Sequence, residues 1–388
     1  MNMNTKECSQ LYLPEELWAI IFTKLKSSLD IVRFCSTCSL WHSFLPPPPP
    51  LSFDLRIPHQ EYFLEQTKIY RIQPSPHDQD PTTSSCSSNK GWLIKVFQNT
   101  DSSKFYLFDL FTNERLSSDK IAQKVDLMNV RVVELFELYT LSHEYDNFGG
   151  FEPVSFVRKV ILFSVKGRCM VFALYRNNKL KVSNIGEKKL TTLRHYNGEE
   201  NKNRVTMISY DCIENKPFND IILYKGQLYV LDEIGTIFWI NTLSLKLVQF
   251  SPKNSNCCDE RQISMDKQLV EYDGNLYVVD IDDGKYYRKG CLLKGVLVKV
   301  YKLDQEWGKW LDVKDLGDVS FVLGKDSNFA LLAQDYHGCQ RNCIYFYYRD
   351  YRDRPYSGKT YCFSLESLEF KPANIFWPCP TLFQPSLS

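Results

Sequence analysis

Net charge is what this chain most lacks: 47 Lys and Arg stand against 46 Asp and Glu, a balance of +1 over 388 residues. Duplex nucleic acid is held by a cationic surface that releases phosphate counterions, so nucleic-acid binding would need a local patch and is not expected. Long apolar runs are missing too. The most apolar stretch, Val160 to Tyr175, is broken by Lys166 and Arg168, and nothing reaches the ~18 apolar residues of a membrane-spanning helix. The N-terminus, Met1 to Gln10, is polar and holds no apolar segment of a secretory signal, and no Asn-x-Ser/Thr acceptor occurs. These absences predict an intracellular protein, nuclear or cytoplasmic, with no membrane partner. Its 13 cysteines are then expected as reduced thiols, and their odd number agrees with that.

Apolar residues make up 44% of the chain and aromatic residues 14%, ample for a core, which excludes disorder of the chain as a whole. The length suits roughly two or three domains, or one small domain beside a large β architecture. A division is visible at Pro46 to Pro50. This proline run ends any helix before it and forms a stiff polyproline II spacer about 16 Å long. Residues 11–45 read as helical, 46–52 as the spacer, and 60–385 as strands and turns. Gln73 to Lys90, rich in Pro, Ser, Thr and Asp, reads as an irregular solvated loop.

In the first segment, Pro14 suits a first helical turn, and Glu15 and Glu16 meet the positive end of the helix dipole. Leu13, Leu17, Ile21 and Leu25 recur every four residues as one apolar stripe, with Trp18, Ile20 and Phe22 beyond it. Ser27 and Asp30 have capping-box spacing for a second helix, and Cys38, Leu40, Trp41, Phe44 and Leu45 fall on a third. A helical module below about 40 residues rarely closes a core alone. Neither a metal nor a credible disulfide staples this one. Surplus side chains such as Trp18, Ile21 and Phe22, each worth roughly 1.5 to 3 kcal/mol when buried, therefore point to a docking partner. The alternative is packing on the chain's own β domain, against which the spacer argues.

The residues Leu13-Pro14-Glu15-Glu16-Leu17, Ile21, Lys24-Leu25, Asp30, Arg33-Phe34, Cys38 and Trp41 resemble an F-box, the helical motif that docks on the Skp-type adaptor of cullin-RING ubiquitin ligases. The resemblance implies that Leu13, Pro14, Leu17, Ile21, Leu25, Cys38 and Trp41 face the adaptor. One departure is His42, where the family often has Arg after the Trp.

The remainder repeats. Tyr224-Lys225-Gly226-Gln227-Leu228-Tyr229-Val230-Leu231-Asp232 returns as Tyr272-Asp273-Gly274-Asn275-Leu276-Tyr277-Val278-Val279-Asp280, an offset of 272 − 224 = 48 residues. Asp273-Gly274 between apolar runs is a hairpin signal, because both residues accept positive φ. Further strands or hairpins are expected over Trp92 to Phe97, Phe105 to Phe111, Val160 to Phe163, Cys169 to Tyr175, Gly235 to Leu247, Val296 to Val313, Cys343 to Tyr348 and Tyr361 to Phe370. Short strands at this period predict a β-propeller of roughly six or seven blades, with a large β-sandwich as the alternative. Asp220 to Asp232, Gln268 to Asp280, Val298 to Asp304, Trp310 to Gly317, Gly338 to Phe346 and Trp377 to Pro380 resemble the plant propeller domain that commonly follows an F-box. In that family the propeller is taken to select a protein target.

Other constellations have bland readings. Cys35 and Cys38 have CxxC spacing, but no second pair completes a metal site, and helix packing explains them. Cys339, Cys343 and His337 fall short of a structural zinc set, and no cofactor or metal is expected. Asp280 to Gly284 superficially matches a calcium loop, but Cys291 stands where its bidentate Glu belongs, so a polar turn is expected. No Walker A, HExxH, GxSxG or GxGxxG sequence occurs, and no catalytic residue is assigned. Basic and aromatic residues interleave at Tyr286, Tyr287 and Arg288 and again around Arg349 and Arg352, as candidate target-binding loops that favour an acidic protein over nucleic acid. The expectation is a small all-α F-box of three helices followed by a large all-β domain. Such a protein would be the non-catalytic substrate-recognition subunit of a Skp-cullin-F-box (SCF) ubiquitin ligase, bound to a Skp-type adaptor and through it to cullin. The rival expectation is a ubiquitin-independent protein-binding scaffold.

Overall fold

The computed structural model describes residue 17 and residues 56–57, 62–74, 90–98, 105–116, 130–145, 150–154, 156–165, 167–184, 191–193, 217–253, 266–282, 296–348 and 358–373. Apart from helical Leu17 and a 3-10 turn at Ala333–Asp335, these residues form strands, turns and irregular connections. Strands β11 (Phe218–Tyr224), β12 (Gln227–Asp232), β13 (Ile237–Asn241) and β14 (Lys246–Gln249) make one antiparallel sheet in simple sequence order. Strands β15 (Asp266–Tyr272), β16 (Asn275–Asp282), β17 (Leu297–Asp304) and β18 (Lys309–Val313) make the next. These are the two copies of the 48-residue repeat. Both inner hairpins turn on two residues of positive φ: 47° and 74° at Lys225 and Gly226, 49° and 66° at Asp273 and Gly274.

Earlier in the chain, β7 (Val157–Val165), β8 (Arg168–Tyr175), β9 (Leu180–Asn184) and β10 (Thr191–Leu193) form a similar unit. Through one pair, Tyr139 with Val160, it joins the sheet of β2 (Tyr62–Pro74), β3 (Trp92–Gln98), β4 (Phe105–Phe108) and β5 (Val130–Tyr145). Short strands β1 (Arg56–Ile57) and β6 (Gly150–Pro153) flank β2 and β5. The last sheet holds β19 (Val319–Leu323), β20 (Asn328–Leu332), β21 (Cys343–Tyr348), β22 (Lys359–Ser364) and β23 (Phe370–Pro372). Here β19 lies parallel to β21, and β20 forms the far edge.

Face-to-face stacking separates this architecture from a sandwich. In β12, Leu228 and Val230 enter a core shared with Phe172, Leu174 and Val182 of the preceding unit. Tyr229 and Leu231, on the other face of the same strand, meet Leu269, Leu276 and Val278 of the following one. In β16 the odd residues Tyr277, Val279 and Ile281 likewise pack on Phe321 and Ile344 of the last sheet. Each of these sheets is covered on both faces, as the blades of a propeller are and the sheets of a sandwich are not. The last sheet meets the first: Ile69, Leu93, Leu110 and Phe111 share a core with Val322, Phe329 and Tyr345. Gly91 N donates to Asp335 O at 2.8 Å, and His337 N donates to Gly91 O at 3.1 Å, so backbone bonds reinforce that seam.

A second turn recurs in four of these units. Residues 109–113, 241–245, 304–308 and 364–368 each end in a left-handed residue, with φ of 58°, 55°, 59° and 57° at Asn113, Leu245, Gly308 and Leu368. The side-chain oxygen of the first residue accepts backbone N–H groups two or three positions on: Asp109 from Phe111 and Thr112, Asn241 from Leu243 and Ser244, Asp304 from Glu306 and Trp307, Ser364 from Ser367. Asp, Asn and Ser do this because their oxygens sit only two or three bonds from Cα.

Two expectations need correction. Gln73 and Pro74 close strand β2 and are not part of an irregular loop. Asp280 to Asp282 is not a turn: it ends β16, with Asp280 buried and its Oδ1 3.6 Å from the buried Nζ of Lys267. An acid opposite a lysine on a buried sheet face can stay in the strand, because each neutralises the other. The three expected helices and the proline spacer, apart from Leu17, lie outside the described residues.

Candidate target-binding face

Where the inner strands converge, charged side chains take the place of apolar ones. Asp220 of β11, 2% exposed, accepts hydrogen bonds from Lys159 Nζ of β7 at 2.9 Å and from Ile221 N, Leu269 N of β15 and Asn328 Nδ2 of β20, each at 2.8 Å. One carboxylate therefore ties together strands from four sheet units. Both principal partners sit just past a register shift, between Phe218 and Asp220 in β11 and between Val157 and Lys159 in β7. A bulge re-aims the side chain that follows it, which is how a strand otherwise packed on its neighbours sends a charge to the axis. The bulge residue Arg158 pairs with Asp266 of β15. Burial works against its charge, but Asp266 and Asp220 outweigh that and hold its pKa above the usual value.

At one end of this network lies the β19–β20 turn, Gly324 to Ser327. Asp326 accepts from Lys95 Nζ of β3 at 2.5 Å, and both side chains are enclosed, at 3% and 0% exposure. Lys325 N donates to Phe111 O at 2.9 Å, which sets this turn against the Asp109–Asn113 turn. On the far side of the latter is a cavity of about 330 Å³ lined by Asp109, Thr112, Arg115, Tyr347, Lys359 and Thr360. Gly358 is required in its wall, since a Cβ there would stand 2.1 Å from the Tyr347 ring. Arg115 is held over the Tyr106 ring at 3.9 Å. This end of the axis thus presents turns from separate sheets, a polar cavity and several cations, a layout suited to reading a protein surface.

The opposite ends of β11 and β15 are built differently. Tyr224 Oη donates to Gly274 O at 2.5 Å and accepts from Gln305 Nε2 at 2.6 Å, linking three turns. Trp307 and Leu243, 73% and 71% exposed, project from the outer turns of these two sheets.

Of the adaptor-facing residues expected from sequence, Leu17 is helical and exposed; Leu13, Pro14, Ile21, Leu25, Cys38 and Trp41 lie outside the described residues. So do Tyr286, Tyr287, Arg288, Arg349 and Arg352. The strands that residues 349–357 connect, β21 and β22, carry Tyr347 and Lys359 of the cavity wall. Cys343 and Cys362 are buried thiols of the seam core, while His337 stacks on Trp92 at 3.9 Å between ring centres. Burial raises the Cys339 thiol to about 11. Sequence reasoning passed over Lys95, Lys159, Asp220 and Asp326. The available signal was a charge set inside an otherwise apolar strand, as in Trp92–Gln98.

The model of the KIB1-4 β-propeller family matches residues 61–365. The chain belongs to that family. The KIB1-4 match removes the sandwich alternative and agrees with sheets covered on both faces. Among curated relatives, the Arabidopsis thaliana F-box protein At2g26160 is 31% identical, over 86% of this chain and 94% of its own length. Two putative F-box proteins of the same plant, At1g65770 and At3g25750, are 29% and 30% identical and cover 86% and 87% of this chain. The chain is accordingly a plant F-box protein carrying a KIB1-4 propeller. Among the described residues no helix is long and apolar enough to cross a membrane.

Proposed function

We propose that this protein is the substrate-recognition subunit of an SCF ubiquitin ligase. The observation that carries the reading is similarity to proteins named as F-box proteins, over 86% of this chain and 94% of the first relative, combined with the propeller match. In this reading residues 11–45 form three helices whose Leu13, Pro14, Leu17, Ile21, Leu25, Cys38 and Trp41 hold a Skp-type adaptor, and through it cullin. Residues 46–52 set the offset, and residues 60–385 form the propeller, of roughly six or seven blades, that binds a target protein. The chain performs no chemistry itself; it raises the local concentration of target lysines beside a charged ubiquitin carrier. Its place of action is the nucleus or cytoplasm. Replacing Leu13, Pro14 and Leu17 with Ala is expected to abolish copurification of the adaptor and to make the target accumulate. Unchanged copurification would refute the docking assignment, and an unchanged target level would favour a scaffold that acts without ubiquitin.

A further inference from the structure

The cavity of about 330 Å³ opens across the seam between the first and last sheets. Residues 109–116, which follow β4, form one wall, and β21 with β22 form the other. The backbone fixes both. Asp109 N donates to Glu114 O at 2.8 Å and Leu116 N to Leu107 O at 2.9 Å, which folds the first wall back along β4. In the second wall Tyr347 and Thr360 are directly paired in the β21–β22 ladder. Arg115 belongs to one wall and Lys359 to the other, and both are exposed.

Neither cation forms an ion pair among the described residues. Exposed lysines elsewhere, such as Lys179, are equally unpaired; what sets Arg115 and Lys359 apart is the cavity they share. Arg115 is also held, with its guanidinium carbon 3.9 Å from the centre of the Tyr106 ring. A guanidinium seated on an aromatic ring spends one face there and keeps its N–H edge for a carboxylate, which it grips through two parallel hydrogen bonds. The first wall carries two carboxylates of its own. Asp109 is committed, its Oδ1 accepting from Phe111 N, Thr112 N and Thr112 Oγ1 at 2.9, 2.7 and 3.0 Å. Two cations therefore face one uncommitted carboxylate, Glu114, and the charge balance favours one further negative charge over two.

We propose that this cavity receives an aspartate or glutamate side chain of the target protein, its carboxylate held between Arg115 and Lys359. The proposal rests on the receptor reading above and names the chemistry that the receptor reads. The volume is at the lower end of ligand pockets, about 300 to 1,000 Å³, and suits a side chain with its flanking backbone. The hydroxyls of Thr112, Thr360 and Tyr347 in the same walls donate to that backbone's carbonyls or accept from its N–H groups. Because Arg115 is already seated, binding orders little of the protein. Each wall comes from a different sheet, so the site is complete only when the seam is closed.

The test is fluorescence anisotropy of a labelled hexapeptide, two glutamates between glutamines and blocked at both ends, titrated with the full chain. Hexaglutamine and a hexapeptide of one phosphoserine among glutamines, of about the same charge as the first, run beside it. The glutamate peptide is expected to bind and hexaglutamine not, with affinity lowered about tenfold or more by Arg115→Gln with Lys359→Gln. Removing two charges elsewhere, by Lys179→Gln with Lys246→Gln at exposed lysines, should leave binding unchanged. Two further variants probe geometry and leave the charge alone. Arg115→Lys loses the fork, and Gly358→Ala sets a methyl group 2.1 Å from Cζ of the Tyr347 ring; each should weaken binding about threefold or more. No binding of the glutamate peptide, wild-type affinity in the Arg115 and Lys359 double variant, or an equal loss in the Lys179 and Lys246 control overturns the proposal. Tighter binding of the phosphoserine peptide overturns carboxylate as the anion. Both substituted cations are exposed, so the double variant should melt with wild type; if it melts early, Arg115→Lys decides the case. Adaptor copurification is read on the same wild-type chain. An adaptor retained without peptide binding sinks the cavity proposal alone; peptide binding without the adaptor sinks the receptor reading alone.

Discussion

Asp220→Asn keeps the side-chain shape and removes its charge. Lys159 and Asp220 are 10% and 3% exposed at their side chains, so the substitution leaves a lysine enclosed without a partner. Breaking a buried pair from one side costs about 3 to 5 kcal/mol. The new amide also turns its NH2 either toward Lys159 Nζ and Ile221 N or toward Leu269 N and Asn328 Nδ2, all donors, so two hydrogen bonds become clashes between donors. Urea unfolding of the full chain, followed by intrinsic fluorescence, is the assay. With a slope near 3 kcal/mol per M, the midpoint should fall by about 1 M or more. Adding Lys159→Met should recover a large part of the loss, because the stranded charge is gone. Asp266→Asn, whose carboxylate is 44% exposed, should cost less than about 1 kcal/mol. A loss below about 1 kcal/mol for Asp220→Asn, or no recovery in the double variant, would refute the idea that this carboxylate fastens the axis.

Burial raises the Glu65 carboxyl from 4.5 to about 7, against a hydrogen bond donated by Ser142 Oγ. The folded protein thus keeps a proton that the unfolded chain gives up, and this group's favourable contribution is complete below the unfolded value and lost as pH rises through about 7. Glu65→Gln should therefore change little at pH 4.5 and stabilise by up to about 3 kcal/mol at pH 8, read by urea midpoints; equal effects at both pH values would contradict it. Leu368 holds φ at 57° with its side chain 64% exposed, so Leu368→Gly should raise stability by about 0.5 to 1 kcal/mol, and a lower melting temperature would count against the argument. Trp307→Ala, at a residue 73% exposed, should shift stability by less than about 0.5 kcal/mol in the same melts; a larger loss would mean the indole packs on the fold.

The repeat was legible because blades covered on both faces need unbroken apolar runs, and Leu228 to Leu231 and Leu276 to Val279 supply them. Asp273-Gly274 marked its hairpin for a backbone reason that survives folding. The position of Asp280 was also readable, though not by motif. Equal steps outward from that turn set it opposite Lys267, and the observed register pairs the two. The axial charges were harder. Lys159 and Asp220 each follow a bulge, and a bulge carries no periodic signature, so alternation assigns such residues to the wrong face. The recurring outer turn stayed hidden because Asp109, Asn241, Asp304 and Ser364 share only a short polar oxygen.

The seam between first and last sheets has a consequence for synthesis. Lys95 meets its carboxylate 231 residues later in the chain. At about 5 to 20 residues per second a ribosome needs roughly 12 to 46 s to cover that distance. For that interval Ile69, Leu93, Leu110 and Phe111 lack the partners that cover them, and the strands bearing them stay open to chaperones or to mispairing. A message truncated before Asp326 would yield a chain that never reaches closure, however complete its earlier blades. The first strands made are therefore secured only by residues of the last sheet, and loss of the β19–β20 turn removes their lock.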